Sequence, residues 1–294
     1  MQRTLLEIIQ NTDELSTLED GIVLSGIDAF FNIPFTDYTV FAPPNDAFDE
    51  FGADYVNLLF TDLSYGLHLN NLIAYHIARD EYFAAALVQL ANSGIALQML
   101  SLERVNFAFD MVDLSLISSA PFNSTVTKRD VDARDGVLHF VDQVLWPKFM
   151  TLNPLSSLDE FNIWNKFKTM ITAANRDTFL TLALDITLIA PNDAGIESST
   201  LDFLLLPENF EILDQVVNYN IVESVFNFRV LDVGNEISVA TRQGERLTFT
   251  RMNIGDIRIG GEISRQFALV ERGIVYEVQG LLVPPSLAAV IPGI

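Results

Sequence analysis

The chain has no cysteine. That absence excludes a disulfide framework, a thiolate metal site and a cysteine nucleophile, and it removes the usual redox clue to compartment. Positive charge is scarce: 17 Lys and Arg stand against 39 Asp and Glu, for a net charge of −22. Nucleic acid, whose phosphates need a basic footprint, is therefore not expected as a partner, and anionic membrane surfaces are disfavoured. Histidine is scarce too. His68, His76 and His139 are the only three, and with neither an HExxH motif nor thiolates no metal site is expected. Gly-x-Ser-x-Gly, Gly-x-x-x-x-Gly-Lys and Gly-x-Gly-x-x-Gly are all missing, so neither a catalytic motif nor a cofactor is expected. The longest uncharged run, which takes in Phe83 to Leu102, is interrupted by Gln89, Asn92, Ser93, Gly94 and Gln98. It suits a helix end, a turn and a strand better than a membrane span. The last uncharged stretch is broken by Pro284, Pro285 and Pro292, so no transmembrane span is expected. The first residues, "MQRTLLEIIQNTDELSTLEDG", are amphipathic and acidic, unlike a signal peptide; an exported form is expected to have lost its signal.

What is present is apolar and acidic. A chain of 294 residues, 49% hydrophobic with 22 Phe, can bury two cores of ordinary size. Up to residue 150 there are 21 acidic and 7 basic residues (−14), and beyond it 18 and 10 (−8), so the acidity reads as a solvated surface rather than a tail. Three landmarks recur in order. "TVFAPPNDAF" from Thr39 returns as "TLIAPNDAGI" from Thr187, "LIAYHI" from Leu72 as "VVNYNI" from Val216, and "DGVLHFVDQVLWP" from Asp135 as "RGIVYEVQGLLVP" from Arg272, at offsets of 148, 144 and 137. Three collinear matches imply duplication. Leu69, Leu72, Ile73 and His76 fall at i, i+3, i+4 and i+7, as do Leu213, Val216, Val217 and Asn220, which predicts an amphipathic helix in each copy. Alternating segments follow in both, which predicts half-buried antiparallel strands. Each copy is therefore α+β, with domains over 1–150 and 151–294 and a linker near Pro147 to Phe161. In "APPND" the prolines stop the strand, and Asn45 or Asp46 is expected to cap the helix running toward Phe48.

These landmarks resemble those of the fasciclin-like domain. "TVFAPPNDAF" is similar to its first signature, Tyr75 and His76 to its central pair, and "DGVLHFVDQVLWP" to its second signature, while the second copy is a more divergent match. The resemblance implies two tandem fasciclin-like domains, each a wedge-shaped twisted β-sandwich with flanking helices. It also implies adhesion or extracellular scaffolding rather than catalysis, with receptor contact at the Tyr75–His76 pair and, by position, at Tyr219 and Asn220.

On the residues themselves, His76 completes an apolar stripe, so a core histidine satisfied by its neighbours is expected there, with Asn220 doing the same work. "DVDARDG" from Asp130 fails the calcium-loop spacing and reads as a turn before the last strand. Asn123 begins "NST", the single N-glycosylation acceptor. The expected function is non-enzymatic: a secreted or cell-surface adhesion or scaffolding protein binding protein or glycan. The alternative is a small apolar-ligand carrier or an accessory subunit of a larger complex, and a carboxylate-based hydrolase ranks last.

Overall fold

The computed structural model describes residues 2–119, 123–253, 255–264 and 267–294. It forms two compact units, Met1–Thr151 and Leu152–Ile294. Among the described residues no helix is long and apolar enough to cross a membrane.

The first unit opens with α1 (Leu5–Gln10) and α2 (Ser16–Ser25), followed by β1 (Tyr38–Ala42), α3 (Asn45–Thr61) and α4 (Gly66–Ala74). Then come β2 (Ile77–Arg79), α5 (Ala84–Ser93), β3 (Leu97–Gln98), β4 (Arg104–Phe109), β5 (Leu114–Ile117), β6 (Ser124–Ala133) and β7 (Gly136–Val141). Local sequence explains several boundaries. Thr4 and Glu7 close a reciprocal capping box on α1, and Gly94 ends α5 in the left-handed conformation. The strands form one sheet in the order β2-β1-β7-β6-β5-β4-β3. The first and last strands, β1 and β7, are parallel neighbours in its interior, second and third in that order, and are buried throughout, as expected for strands covered on both faces. Two irregularities in β6, between Val126 and Val131, bend the ladder. The edges then meet: Ala78 in β2 bridges Met99, and Leu100 donates its N–H to the Ile77 carbonyl at 2.7 Å. The sandwich is therefore a single curled sheet, with a core that includes Phe41, Tyr75, Leu87, Phe107 and Leu145.

The second unit contains α6 (Pro154–Phe161), α7 (Asn165–Ala173), α8 (Asp177–Leu182), β8 (Ile186–Pro191), α9 (Ser198–Leu204), α10 (Phe210–Tyr219) and β9 (Ile221–Val222). It finishes with β10 (Glu236–Ala240), β11 (Arg246–Arg251), β12 (Ile257–Ile259), β13 (Glu262–Ser264), β14 (Phe267–Val270) and β15 (Gly273–Val278). Its strands make two four-stranded sheets, β10-β11-β12-β13 and β14-β15-β8-β9. Again the first and last strands, β8 and β15, are parallel and central. No counterpart of α5 separates β9 from β10. A short 3₁₀ turn, Phe228–Val230, stands there, and the buried rings of Phe226 and Phe228 fill the core beneath it.

Three details differ from the sequence expectations. Helix α4 ends at Ala74, so His76 lies just beyond the helix rather than on it, and Asn220 is the C-cap of α10. The residue preceding α3 is Pro44, which has no side chain able to cap, and Asn45 is already helical. The Asp130 segment belongs mostly to β6, and only Arg134 and Asp135 form the turn to β7.

Candidate functional site

The signature residues converge on the paired central strands of each unit, and they do so through matching hydrogen bonds. In the first unit the Thr39 hydroxyl donates to the Asp80 carbonyl and accepts the Tyr82 N–H, both at 2.8 Å. In the second, Thr187 donates to the Ser224 carbonyl and accepts the Phe226 N–H, again both at 2.8 Å. Each clasp ties the chain that follows the antiparallel neighbour strand back to the start of the central strand. Without it an N–H, buried in the second unit and part-buried in the first, and a part-buried carbonyl would lose their partners.

The tyrosines repeat as well. Tyr75 and Tyr219 donate their hydroxyls to the carbonyls of Arg104 and Arg246, each at 3.4 Å. Burial raises both phenol pKa values, with Glu103 and Glu245 adding to the effect, so the groups stay neutral. One residue further on, the backbone carbonyls of His76 and Asn220 accept the N–H groups of Phe41 and Ile189 at 2.9 and 2.8 Å.

His76 is fully buried. Its Nδ1 lies 2.8 Å from the Leu72 carbonyl, which can only accept, and its Nε2 lies 2.8 Å from the Leu145 N–H, which can only donate. These partners fix a neutral ring protonated at Nδ1. Burial pushes the pKa down to about 4. Asn220 reaches the same two places with one amide nitrogen, donating to the Val216 and Leu282 carbonyls at 2.8 Å each. Leu282 matches Leu145 at the offset of 137, so the peptide group is engaged through its carbonyl in one unit and through its N–H in the other.

His139 and Tyr276 form another matched pair. His139 donates from Nε2 to the Tyr82 carbonyl at 2.9 Å and accepts the Asp130 N–H at Nδ1, while the Tyr276 hydroxyl donates to the Phe226 carbonyl at 2.8 Å. Burial lowers the His139 pKa. His68 is buried in the same unit, between Tyr65 and Phe149, with ring centroids at 4.8 and 5.4 Å. The sequence reading missed Thr39, Thr187, His139 and Tyr276 as organising residues. They carry a signal all the same, because each pair falls within a repeated landmark.

"APPND" has a use that local reading did not anticipate. Asn45 Oδ1 accepts the Thr17 N–H at 3.0 Å, near the start of α2, and its Nδ2 donates to the Asp13 carbonyl at 3.0 Å. In the second unit Asp193, the equivalent of Asn45, accepts the Lys166 N–H at 2.7 Å, near the start of α7. The residue therefore caps an earlier helix across the fold instead of its own, and its negative end or charge suits that helix terminus. The carboxylates around Asp130 are engaged in the same manner. Asp130 accepts the Ala84 N–H at the start of α5, and Asp135 accepts the Leu5 N–H at the start of α1, both at 2.7 Å. Among the described residues no three His, Asp or Glu side chains are grouped to hold a metal ion.

Of the residues singled out from sequence, then, Tyr75, His76, Tyr219 and Asn220 are all buried, and Asn123 is exposed just before β6. The arrangement is a module whose signature residues hold strands and helix ends together. Residues 2–147 match the fasciclin domain; the first unit belongs to the fasciclin family. Transforming growth factor-beta-induced protein ig-h3 of Sus scrofa is 28% identical over 141 residues, covering 48% of this chain and 19% of that protein. Stabilin-2 of Mus musculus is 22% identical over 270 residues, 85% of this chain and 10% of its own. The chain thus spans a fifth or less of these two relatives. A solved FAS1 domain pair from the insect cell adhesion molecule fasciclin I is similar over 93% of this chain and 98% of that one, with 15% identity and a TM-score of 0.47.

Proposed function

We propose that the chain is a tandem pair of fasciclin modules, the second divergent and covering residues 151–294, that acts without catalysis in adhesion or extracellular scaffolding. It works secreted or at a cell surface, on protein or glycan partners. Fasciclin membership of the first unit carries this reading. Two further observations support it. The alignment with stabilin-2 runs over 85% of the chain, beyond the first unit. The signature polar groups also face inward, which leaves contact to exposed loops.

One such loop is the hairpin between β4 and β5. Met111 and Val112 at its tip are 88% and 75% exposed, and the Asp110 carboxylate holds the N–H groups of Val112 and Asp113 at 3.1 and 2.8 Å. An apolar tip kept in one shape loses little conformational freedom on docking. Tyr75, His76, Tyr219 and Asn220 serve such contacts from within, by positioning the strands and turns that carry the surface. Asn123 is proposed as a glycan acceptor in a eukaryotic secretory host, read as a mass shift on glycosidase treatment.

Cell attachment to surfaces coated with the intact chain tests the reading. Attachment above that on albumin is expected, with a loss on Met111→Ser combined with Val112→Ser. Attachment no better than on albumin would overturn the adhesion reading.

A further inference from the structure

A groove of about 660 Å³ opens on the first unit, beside the segment from Arg79 to Tyr82 that the Thr39 clasp holds. Its volume lies within the roughly 300–1,000 Å³ of ligand pockets. Phe30, Leu90, Ile95, Leu97, Met99 and Leu102 supply an apolar wall, and Arg79 and Asp80 a polar end. Ile95 and Leu102 are 58% and 77% exposed, which leaves apolar area that a ligand could remove from water. Among the described residues no carboxylate forms an ion pair with Arg79, in a chain where acids outnumber bases by more than two to one.

The second unit explains the vacancy beside Arg79. Leu100 donates its N–H to the Ile77 carbonyl, and Arg242 makes the same bond to Ile221 at 2.8 Å. Leu100 and Arg242 are therefore equivalent. Two residues beyond the acceptors stand Arg79 and Glu223. In the second unit Arg242 is paired with Glu223 and lies over the Phe179 ring at 4.0 Å from its centroid. An internal ion pair thus crosses this place in one unit. In the first unit a guanidinium remains, and a leucine, Leu100, stands at the position equivalent to its charged partner.

We propose that this groove binds an amphiphile with a single carboxylate head, of the long-chain fatty acid class, its head against Arg79 and its chain along Phe30, Leu90, Ile95 and Leu102. A planar guanidinium matches a carboxylate through two parallel hydrogen bonds, and the apolar wall removes the chain from water. Asp80 at the same end repels a second negative charge, which favours a monoanionic carboxylate over a phosphate dianion. The site is independent of the adhesion reading.

Calorimetric titration of the full chain with decanoate and with decanol, both below micelle-forming concentrations, tests the assignment. Decanoate is expected to bind about tenfold more tightly than decanol or better, the scale of a charge-assisted hydrogen bond. Arg79→Gln should reduce decanoate to the level of decanol and leave decanol unchanged, while Leu102→Ser weakens both. Leu100→Glu, which supplies the missing anion from within, should abolish the preference for decanoate. Arg79 and Leu102 are exposed, so unchanged thermal unfolding of those two variants separates a lost site from a lost fold. Equal affinity for decanoate and decanol, or a preference that survives Arg79→Gln, would overturn the proposal.

Discussion

Acid should weaken the first unit before the second, and His76 provides the scale. The ring is fully buried, donates from Nδ1 to the Leu72 carbonyl and accepts the Leu145 N–H at Nε2. A second proton would have to displace that N–H and place an unpaired charge in the core. The folded pKa is accordingly pushed down to about 4 by burial, against about 6.5 in an unfolded chain. For a basic group with a depressed folded pKa, the unfolded state takes up the proton first. Stability is therefore complete above about pH 6.5 and is lost as the pH falls toward 4. At about 1.36 kcal/mol per unit, the full loss is on the order of 3 kcal/mol, a large share of a typical domain stability of about 5–15 kcal/mol. His139 acts in the same direction, since burial lowers its pKa as well. Glu103 opposes them, because burial raises its pKa and acid therefore relieves its charge. In the second unit the equivalent positions hold Asn220 and Tyr276, and neither titrates in this window.

Hydrogen exchange with mass detection on the intact chain, in urea at pH 7.5 and pH 4.5, reads the two units separately. Peptides from β1 and β7 should lose protection on acidification well before those from β8 and β15. His76→Asn should lower stability at neutral pH and flatten this pH dependence. Equal acid sensitivity of the two units, or an unchanged slope in His76→Asn, would refute the reasoning.

Thr187→Val should cost about 1–3 kcal/mol, the penalty of an orphaned buried donor, and Thr39→Val less, because its donor is part-buried; each should lower the urea midpoint of its own unit. Gly136→Ala is expected to disrupt the β1–β7 ladder, because its Cβ would stand 1.9 Å from the Tyr38 carbonyl oxygen at a φ of +140. Gly273→Ala meets Ile186 at 2.5 Å without the positive φ and should be the milder change by thermal unfolding. Asn45→Ala should cost about 0.5–2 kcal/mol by loss of a helix cap, with faster exchange at the start of α2 and little change at the start of α3.

Much of this was legible along the chain because it depends on near neighbours. The stripes of Leu69, Leu72 and Ile73 and of Leu213, Val216 and Val217 marked α4 and α10, since a helix places such positions on one face. The interruption at Gly94 marked the end of α5 for a similar local reason. His76 was legible as a buried histidine but not as a residue outside its helix, because one more turn of the same period would have continued the stripe. The Arg79 groove left no trace, since its meaning lies in a comparison of Leu100 with Arg242, which are related only through the curl of the sheet.

By itself, then, the sequence determined that three landmarks recur in order, that alternating strand segments close each half, and that the chain is acidic, because period, order and composition are properties of the chain. Only the tertiary structure decided what "APPND" is for. Asn45 and Asp193 cap earlier helices through N–H groups 28 and 27 residues back along the chain, and no local propensity specifies a hydrogen bond made by bringing distant segments together.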